Sequence, residues 1–185
     1  MPYPTRIDRE TTIATARDLI EQHGVEWLSL AKLAEQLGVK APSLYRHFDS
    51  KAVLLKAINE LALEELIAAL NAVPADDDVR RRLSAMADVW RAFAQRCPNV
   101  YMLLYGRADE SIRPDADHAL RLALPLQALV GQFAGAAASL AALRGIYALM
   151  HGFVMLELAG QFRRGGDLDA HYAQIIRAYI DGWRI

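Results

Sequence analysis

Between Ser29 and Lys51 the chain reads SLAKLAEQLGVKAPSLYRHFDSK, and no other stretch restricts the fold as tightly. Leu30, Leu33, Ala34 and Leu37 recur at helical spacing behind Ser29, whose hydroxyl suits an N-cap. Gly38 ends that helix, because a residue without Cβ can turn the chain through left-handed backbone, and Val39 can pack over the corner. A second helix begins around Pro42, whose missing N–H is not needed in a first turn. Leu44 and Phe48 then form an i, i+4 apolar pair against the first helix, leaving Lys40, Ser43, Tyr45, Arg46 and His47 outside.

Two short helices joined by a glycine turn, the second carrying basic and hydroxylic residues outward, make a helix-turn-helix able to enter a DNA major groove. The same spacing also describes a helical hairpin whose polar face meets water, so spacing alone leaves both readings open. The string LAEQLGVKAPSLYRHFDSKAVLL closely resembles the signature of the TetR family of transcriptional regulators, down to Tyr45, His47, Phe48, Lys51 and Leu54. That resemblance implies a homodimeric repressor of a palindromic operator on double-stranded DNA, released by a small, largely apolar effector. It puts Lys40, Ala41, Pro42 and Ser43 near base edges, Tyr45 and His47 on phosphates, Arg46 in either role, and Lys51 as a clamp on the DNA backbone. The implied architecture is all-α, with a three-helix DNA-binding domain over residues 1–50 and a helical effector-binding and dimerisation domain over 51–185.

Charge adds little, since 21 basic residues face 22 acidic ones and leave a net charge of -1. Affinity for nucleic acid must come from local placement: Lys40, Arg46 and Lys51 against Asp49, with Arg6 and Arg9 available as an N-terminal arm. The single Cys97 cannot form an internal disulfide, and no basic-then-apolar signal segment opens the chain, so a cytoplasmic setting is expected. Leu140 to Ala159 is apolar, but Arg144, His151 and Glu157 interrupt it, so it reads as a buried soluble helix and not a membrane span.

Periodicity and punctuation predict further helices over Arg9–His23 before Gly24, Lys51 to about Ala72, Val79–Arg96, Val100–Leu104, Asp115–Phe133 with a bend at Pro125, Ala137–Arg164 and Asp169–Trp183. Trp27 and Leu28 are expected to staple the first turn into the core, and Arg80, Arg81 and Arg82 to decorate a solvated helix end. Ala138, Gly145, Gly152 and Ala159 repeat every seven residues, a thin seam, while Tyr172, Ile176, Tyr179 and Trp183 form a bulky ridge. Seam and ridge can pack on each other or on a second subunit, which makes Gly145, Gly152, Ala159, Tyr172, Ile176, Tyr179 and Trp183 the candidate dimer interface. The segment from Leu143 to Asp169 resembles a TetR subgroup named for a tryptophan, histidine and glycine motif. His151 and Gly152 match it, whereas Tyr147 stands near where the tryptophan often lies.

Trp90, Phe93, Tyr101, Tyr105, Tyr147, Met150, His151 and Met155 suit either an apolar effector pocket, with His151 as polar anchor, or a plain core. None of the five histidines has metal-ligand spacing, Asp115, Asp117 and His118 read as helix capping, and no catalytic constellation or cofactor motif is present. An enzyme is therefore not expected. The competing reading is an all-α ligand-binding protein or small enzyme without DNA binding, and the intact Tyr45, His47, Lys51 set argues against it.

Overall fold

A computed structural model describes residues 8–106 and 109–183. The first helix, α1, spans Arg9–His23; Asp8 caps it by accepting from the Thr11 N–H, and Gly24 leaves it at φ 81°. Helix α2 covers Leu30–Gln36, with the Ser29 hydroxyl accepting from the Lys32 N–H at 3.2 Å. Gly38 takes φ 66°, which frees the Val39 N–H to donate back to the Ala34 carbonyl at 2.9 Å and seals the corner. Helix α3 is shorter than the periodicity suggests. Only Ala41–Leu44 is α-helical, and the chain then tightens into a turn in which the His47 and Phe48 N–H groups both donate to the Leu44 carbonyl.

Helix α4 runs unbroken over Lys51–Asn71, about 31 Å at about 1.5 Å per residue, with the Ser50 hydroxyl accepting from the Val53 N–H. There follow α5 (Val79–Arg96), α6 (Pro98–Tyr105), α7 (Ala116–Ala134, with Pro125 inside it), α8 (Ser139–Leu158) and α9 (Leu168–Gly182). Short 3-10 turns occupy Glu110–Ile112 and Ala136–Ala138, and no strand occurs among the described residues.

The chain packs as two units. The first is Met1–Glu64 with Cys97–His118, and the second is Glu65–Arg96 with Ala119–Ile185. The functional division expected after residue 50 concerns what each part binds, which packing does not test. In the first unit Ile20, Leu28, Leu33, Leu44, Phe48, Leu54 and Ile58 form the core around which α1, α2 and α3 are set. Glu21 of α1 holds α6 there: its carboxylate accepts from the Asn99 and Val100 N–H groups at 3.2 and 2.7 Å, and the Asn99 amide donates to the Glu21 carbonyl at 3.0 Å. These contacts cap the open end of α6.

In the second unit α5, α8 and α9 pack on one another. The Tyr172 hydroxyl donates to the Ala87 carbonyl and the Tyr179 hydroxyl to the Ala142 carbonyl, both at 2.9 Å. Arg91 is buried between the helices, bonded to both Glu157 carboxylate oxygens at 2.8 and 2.6 Å and to Asp169 at 2.8 Å, with the Tyr172 and Phe153 rings beside it. The Glu157 contact, more than any other, holds the Arg91 pKa above its ordinary value.

Several expectations need correction. Helix α8 stops at Leu158 and not Arg164, because Gly160 adopts φ 62° and the Gly160 and Gln161 N–H groups turn back onto Glu157 and Leu156. Arg80 is no solvated ornament: its guanidinium donates to the Ile180 and Trp183 carbonyls at the open end of α9, where a cation also complements the helix dipole. Arg81 does sit outside, beside Asp76 and Asp78. Trp27, expected to staple into the core, is exposed. The Trp27 ring lies against His23 and under the Lys32 ammonium, not in the core.

Candidate functional site

The helix-turn-helix works by division of labour between neighbouring side chains. Leu44 and Phe48 are both 0% exposed, so the face of α3 that they occupy is locked to the core. The positions between and before them must then point away. Lys40, Pro42, Tyr45, Arg46 and His47 are exposed, Tyr45 by 53%, while Ala41 and Ser43 are half-buried at the same face. A tyrosine left this open next to two basic side chains offers a hydroxyl donor and cationic groups to phosphate oxygens. Arg9 lies close by, its guanidinium 5.3 Å from the Phe48 ring centroid, whereas Arg6 falls outside the described residues.

Lys51 is placed differently from its neighbours. It is half-buried, and its ammonium donates to the Val25 carbonyl at 2.8 Å.

The aromatic and sulfur-bearing set divides between the units. Tyr101 and Tyr105 pack on each other in the first, ring centroids 4.9 Å apart. Trp90, Phe93, Tyr147, Met150, His151 and Met155 belong to the second. There Trp90 meets Tyr147 edge-on at 5.6 Å, and Tyr147 stacks parallel to His151 at 6.0 Å. Trp90 and Phe93 are 1% exposed and act as core, Met150 is buried and Met155 half-buried. Tyr147 keeps 37% exposure at the outer end of the column. Burial pushes the His151 pKa below its ordinary 6.5 and the Tyr147 pKa above 10.0, so both rings are neutral near pH 7.

The thin seam and bulky ridge also divide. A Cβ on Gly145 would collide with the Tyr179 hydroxyl, so seam and ridge meet inside the subunit at that point. Tyr172 and Ile176, at 0% and 1% exposure, are likewise consumed by the chain's own packing and cannot face a second subunit. Trp183 is half-buried beside Tyr179. Gly152 has nothing within 4 Å of where a Cβ would stand, and Ala159 is exposed. With Ala141 and Ala148 they continue an open small-residue face along α8, flanked by exposed Leu140, Tyr147 and Leu156. Helix α8 with its leading turn, Ala136–Leu158, is long and apolar enough to cross a membrane by composition, yet only 33% of an apolar 18-residue stretch within it is buried. The expectation of a buried helix therefore holds for one face alone, where Glu157 is paired with Arg91.

Two features escaped the sequence reading because their parts lie far apart in the chain. Donor atoms of Glu60, Asp115 and His118 lie within 4.8 Å of one another, an arrangement that can hold a cation. The Lys56 ammonium sits there, 2.6 Å from Asp115, and His118 is 3.3 Å from Glu64. The hydrogen bond between Lys56 and Asp115 lowers the Asp115 pKa and raises that of Lys56. In the second unit a groove of about 560 Å³ runs along α5 and α9, walled by Arg80, Arg81, Arg177, Asp78, Asp88 and Asp181 over Ala85, Ala173 and Ile176. Alternating charges of that kind fit water better than an apolar effector.

Comparison with known proteins accords with this geometry. The profile of bacterial regulatory proteins of the tetR family matches residues 13–58, and the tetracyclin repressor-like C-terminal domain matches residues 83–179. The class A tetracycline repressor protein of transposon 1721 from Escherichia coli is 35% identical, the match covering 97% of this chain and 82% of that one. A TetR variant from Acinetobacter baumannii AYE, solved with minocycline, is 26% identical with a TM-score of 0.73 and covers 96% of each chain. A protein of unknown function from Rhodococcus sp. RHA1, 24% identical with full coverage of both chains, superposes with a TM-score of 0.82 and shows the shared fold. The tryptophan-histidine-glycine subgroup receives no support from these matches.

Proposed function

Because the chain belongs to the TetR family of DNA-binding transcriptional regulators, we propose that it acts in the cytoplasm as a homodimeric repressor of a palindromic operator, released by a small, largely apolar effector. The observation that carries the DNA part is the outward set Lys40, Tyr45, Arg46 and His47, held rigidly because Leu44 and Phe48 on the same short segment are fully buried. In this reading Lys40, Ala41, Pro42 and Ser43 approach base edges, and Tyr45 and His47 contact phosphates.

The dimer interface in this reading is the open face of α8, Ala141, Ala148, Gly152 and Ala159, with Leu156 and the exposed Ile175 of α9 at its edge. Small residues let two helices approach closely, and an exposed apolar face of this extent favours being covered. A twofold pair presents two recognition elements to half-sites about 34–36 Å apart. The effector is placed against the Tyr147 and His151 end of the aromatic column, whose neutral polar tips orient a ligand without demanding charge. Minocycline, held by the Acinetobacter relative, is a precedent for a small-molecule ligand in a chain of this fold. Release requires that the effector bind more tightly to a conformation in which α4 is shifted, and a coupling of about 1–3 kcal/mol weakens operator binding by roughly 5–150-fold.

The test is selection from a random duplex library with the full chain at moderate salt, repeated at higher salt. Recovery of a palindrome with steep salt dependence supports the reading, and absence of any enriched duplex overturns it. Tyr45→Ala is expected to abolish that binding while leaving the thermal midpoint within experimental scatter, since the side chain contacts little of the core. Wild-type affinity in this variant would remove α3 from the recognition role.

A further inference from the structure

Where α4 meets the start of α7, within the first unit, two pairs of side chains face each other, each pair one helical turn apart. Glu60 and Glu64 stand at i, i+4 on α4, and Asp115 and His118 at i, i+3 where α7 begins. Neither pair is a metal motif alone. Brought together, Glu60, Asp115 and His118 place one donor atom each within 4.8 Å of one another. Tetrahedral donors about 2.0–2.1 Å from a zinc ion stand roughly 3.3 Å apart, so closure requires a shift of up to about 1.5 Å. That is modest for an Asp115 side chain that is 65% exposed.

The hydrogen bonding of His118 points to a metal independently of these distances. Its Nε2 is 3.3 Å from a Glu64 carboxylate oxygen, which in the neutral ring assigns the proton to Nε2 and the lone pair to Nδ1. Nδ1 is buried and has no hydrogen-bond partner among the described residues. A carboxylate on one ring nitrogen is how proteins orient an imidazole whose other nitrogen binds a metal. Asn59, beside Glu60 and 1% exposed, turns its amide to the same segment by donating to the Ile112 carbonyl at 2.8 Å, and its Oδ1 is likewise buried without a partner among the described residues. Charge points the same way. Glu60 and Asp115 share one ammonium, that of Lys56, at 3.8 and 2.6 Å, so a cation from the chain itself already stands among the donors.

We propose that Glu60, Asp115 and His118 form a site for a divalent transition-metal ion, with Glu64 orienting the imidazole and the Lys56 ammonium as the group that the metal displaces. Two carboxylate oxygens and one imidazole nitrogen are donors that zinc accepts, with a fourth position for water, whereas magnesium and calcium favour oxygen alone. A metal held there ties α4 to the start of α7. The site is independent of the DNA-binding reading above.

The test is calorimetric titration of Zn2+ into the chelator-treated full-length chain, prepared without a metal-binding tag. Wild type is expected to bind the ion, and Glu60→Gln and His118→Gln to bind it more weakly by at least the roughly 10–100-fold that removing a supporting group costs a metal site. His171→Gln, altered in the second unit, should titrate as wild type does. Lys56→Met should bind roughly tenfold more tightly than wild type, the scale of one charge-assisted hydrogen bond no longer competing for Asp115. A misfolded variant could not produce that gain. Zn2+ should also raise the thermal midpoint of wild type and leave that of His118→Gln in place. Failure of wild type to bind Zn2+, equal binding by the Glu60 and His118 variants, or no gain in Lys56→Met would each overturn the proposal.

Discussion

The helix-turn-helix and the α5, α8 and α9 assembly are built from the same chemistry over different distances. In the first, the signals that shape the two short helices and their turn are local: Ser29 caps α2, Gly38 turns it, and Leu44 and Phe48 anchor α3. In the second, Arg91 reaches Glu157 and Asp169, Tyr172 reaches Ala87, and Tyr179 reaches Ala142. A short-range pattern constrains its own outcome, because chain connectivity leaves few alternative partners. A long-range one is decided by which helix arrives, and a seam of small residues accepts a neighbour from its own chain as readily as one from another.

The largest effect that would sharpen this contrast is at Arg91. Replacing it with Met strands Glu157 in a site where that carboxylate is only 13% exposed, so the second unit should lose about 3 kcal/mol or more by urea denaturation. A loss below about 1 kcal/mol would show that the distant partners contribute no more than a surface pair. Next come the two seam glycines. Gly145→Ala should destabilise by about 1–3 kcal/mol because its Cβ meets the Tyr179 hydroxyl, with partial rescue by Tyr179→Phe. Gly152→Ala should be neutral or stabilising by up to about 1 kcal/mol, since the Cβ enters open space and helix propensity improves. Gly152→Leu, in turn, should shift sedimentation towards monomer if the open face of α8 joins two subunits, and an unchanged dimer would relocate the interface.

The smallest expected effect is a pH dependence at His151. Burial lowers its folded pKa below 6.5, so between 6.5 and the folded value the unfolded chain binds a proton that the folded chain resists. Stability from this group is therefore intact above 6.5, falls as pH drops through that window, and levels off beneath the folded pKa. Denaturation midpoints at pH 7.5 and 5.5 should differ less in His151→Gln than in wild type. An equal difference in both would assign the dependence to other groups.

Legibility followed the same division. The bounds of α1 and α5 agree with the sequence expectation at both ends, because caps, breakers and apolar spacing are local signals. The end of α8 was misplaced by six residues, since two arginines continue the helical composition beyond Gly160, whose left-handed backbone stops it. The place of Trp27 just before the Ser29 cap predicts a staple into the core, and only packing reveals that its ring has His23 and Lys32 for company. Among the site residues, the outward set around Tyr45 could be inferred from the burial of Leu44 and Phe48. No spacing rule could have joined Lys51 to Val25, Arg80 to the end of α9, or Lys56 to Asp115.

The amino-acid order by itself determined that this chain is helical, where its helices begin, and which short segment would present polar side chains outward. Those outcomes depend on backbone hydrogen bonds, caps and side-chain periodicity within a turn or two. Tertiary structure alone decided what each long-range donor and each small residue would meet. It spent Gly145 on Tyr179 while leaving Gly152 open, and gave the Lys51 ammonium a carbonyl of the α1–α2 link. The physical reason is that identical glycines and lysines carry identical local preferences. Only the approach of a distant helix or loop distinguishes one from another.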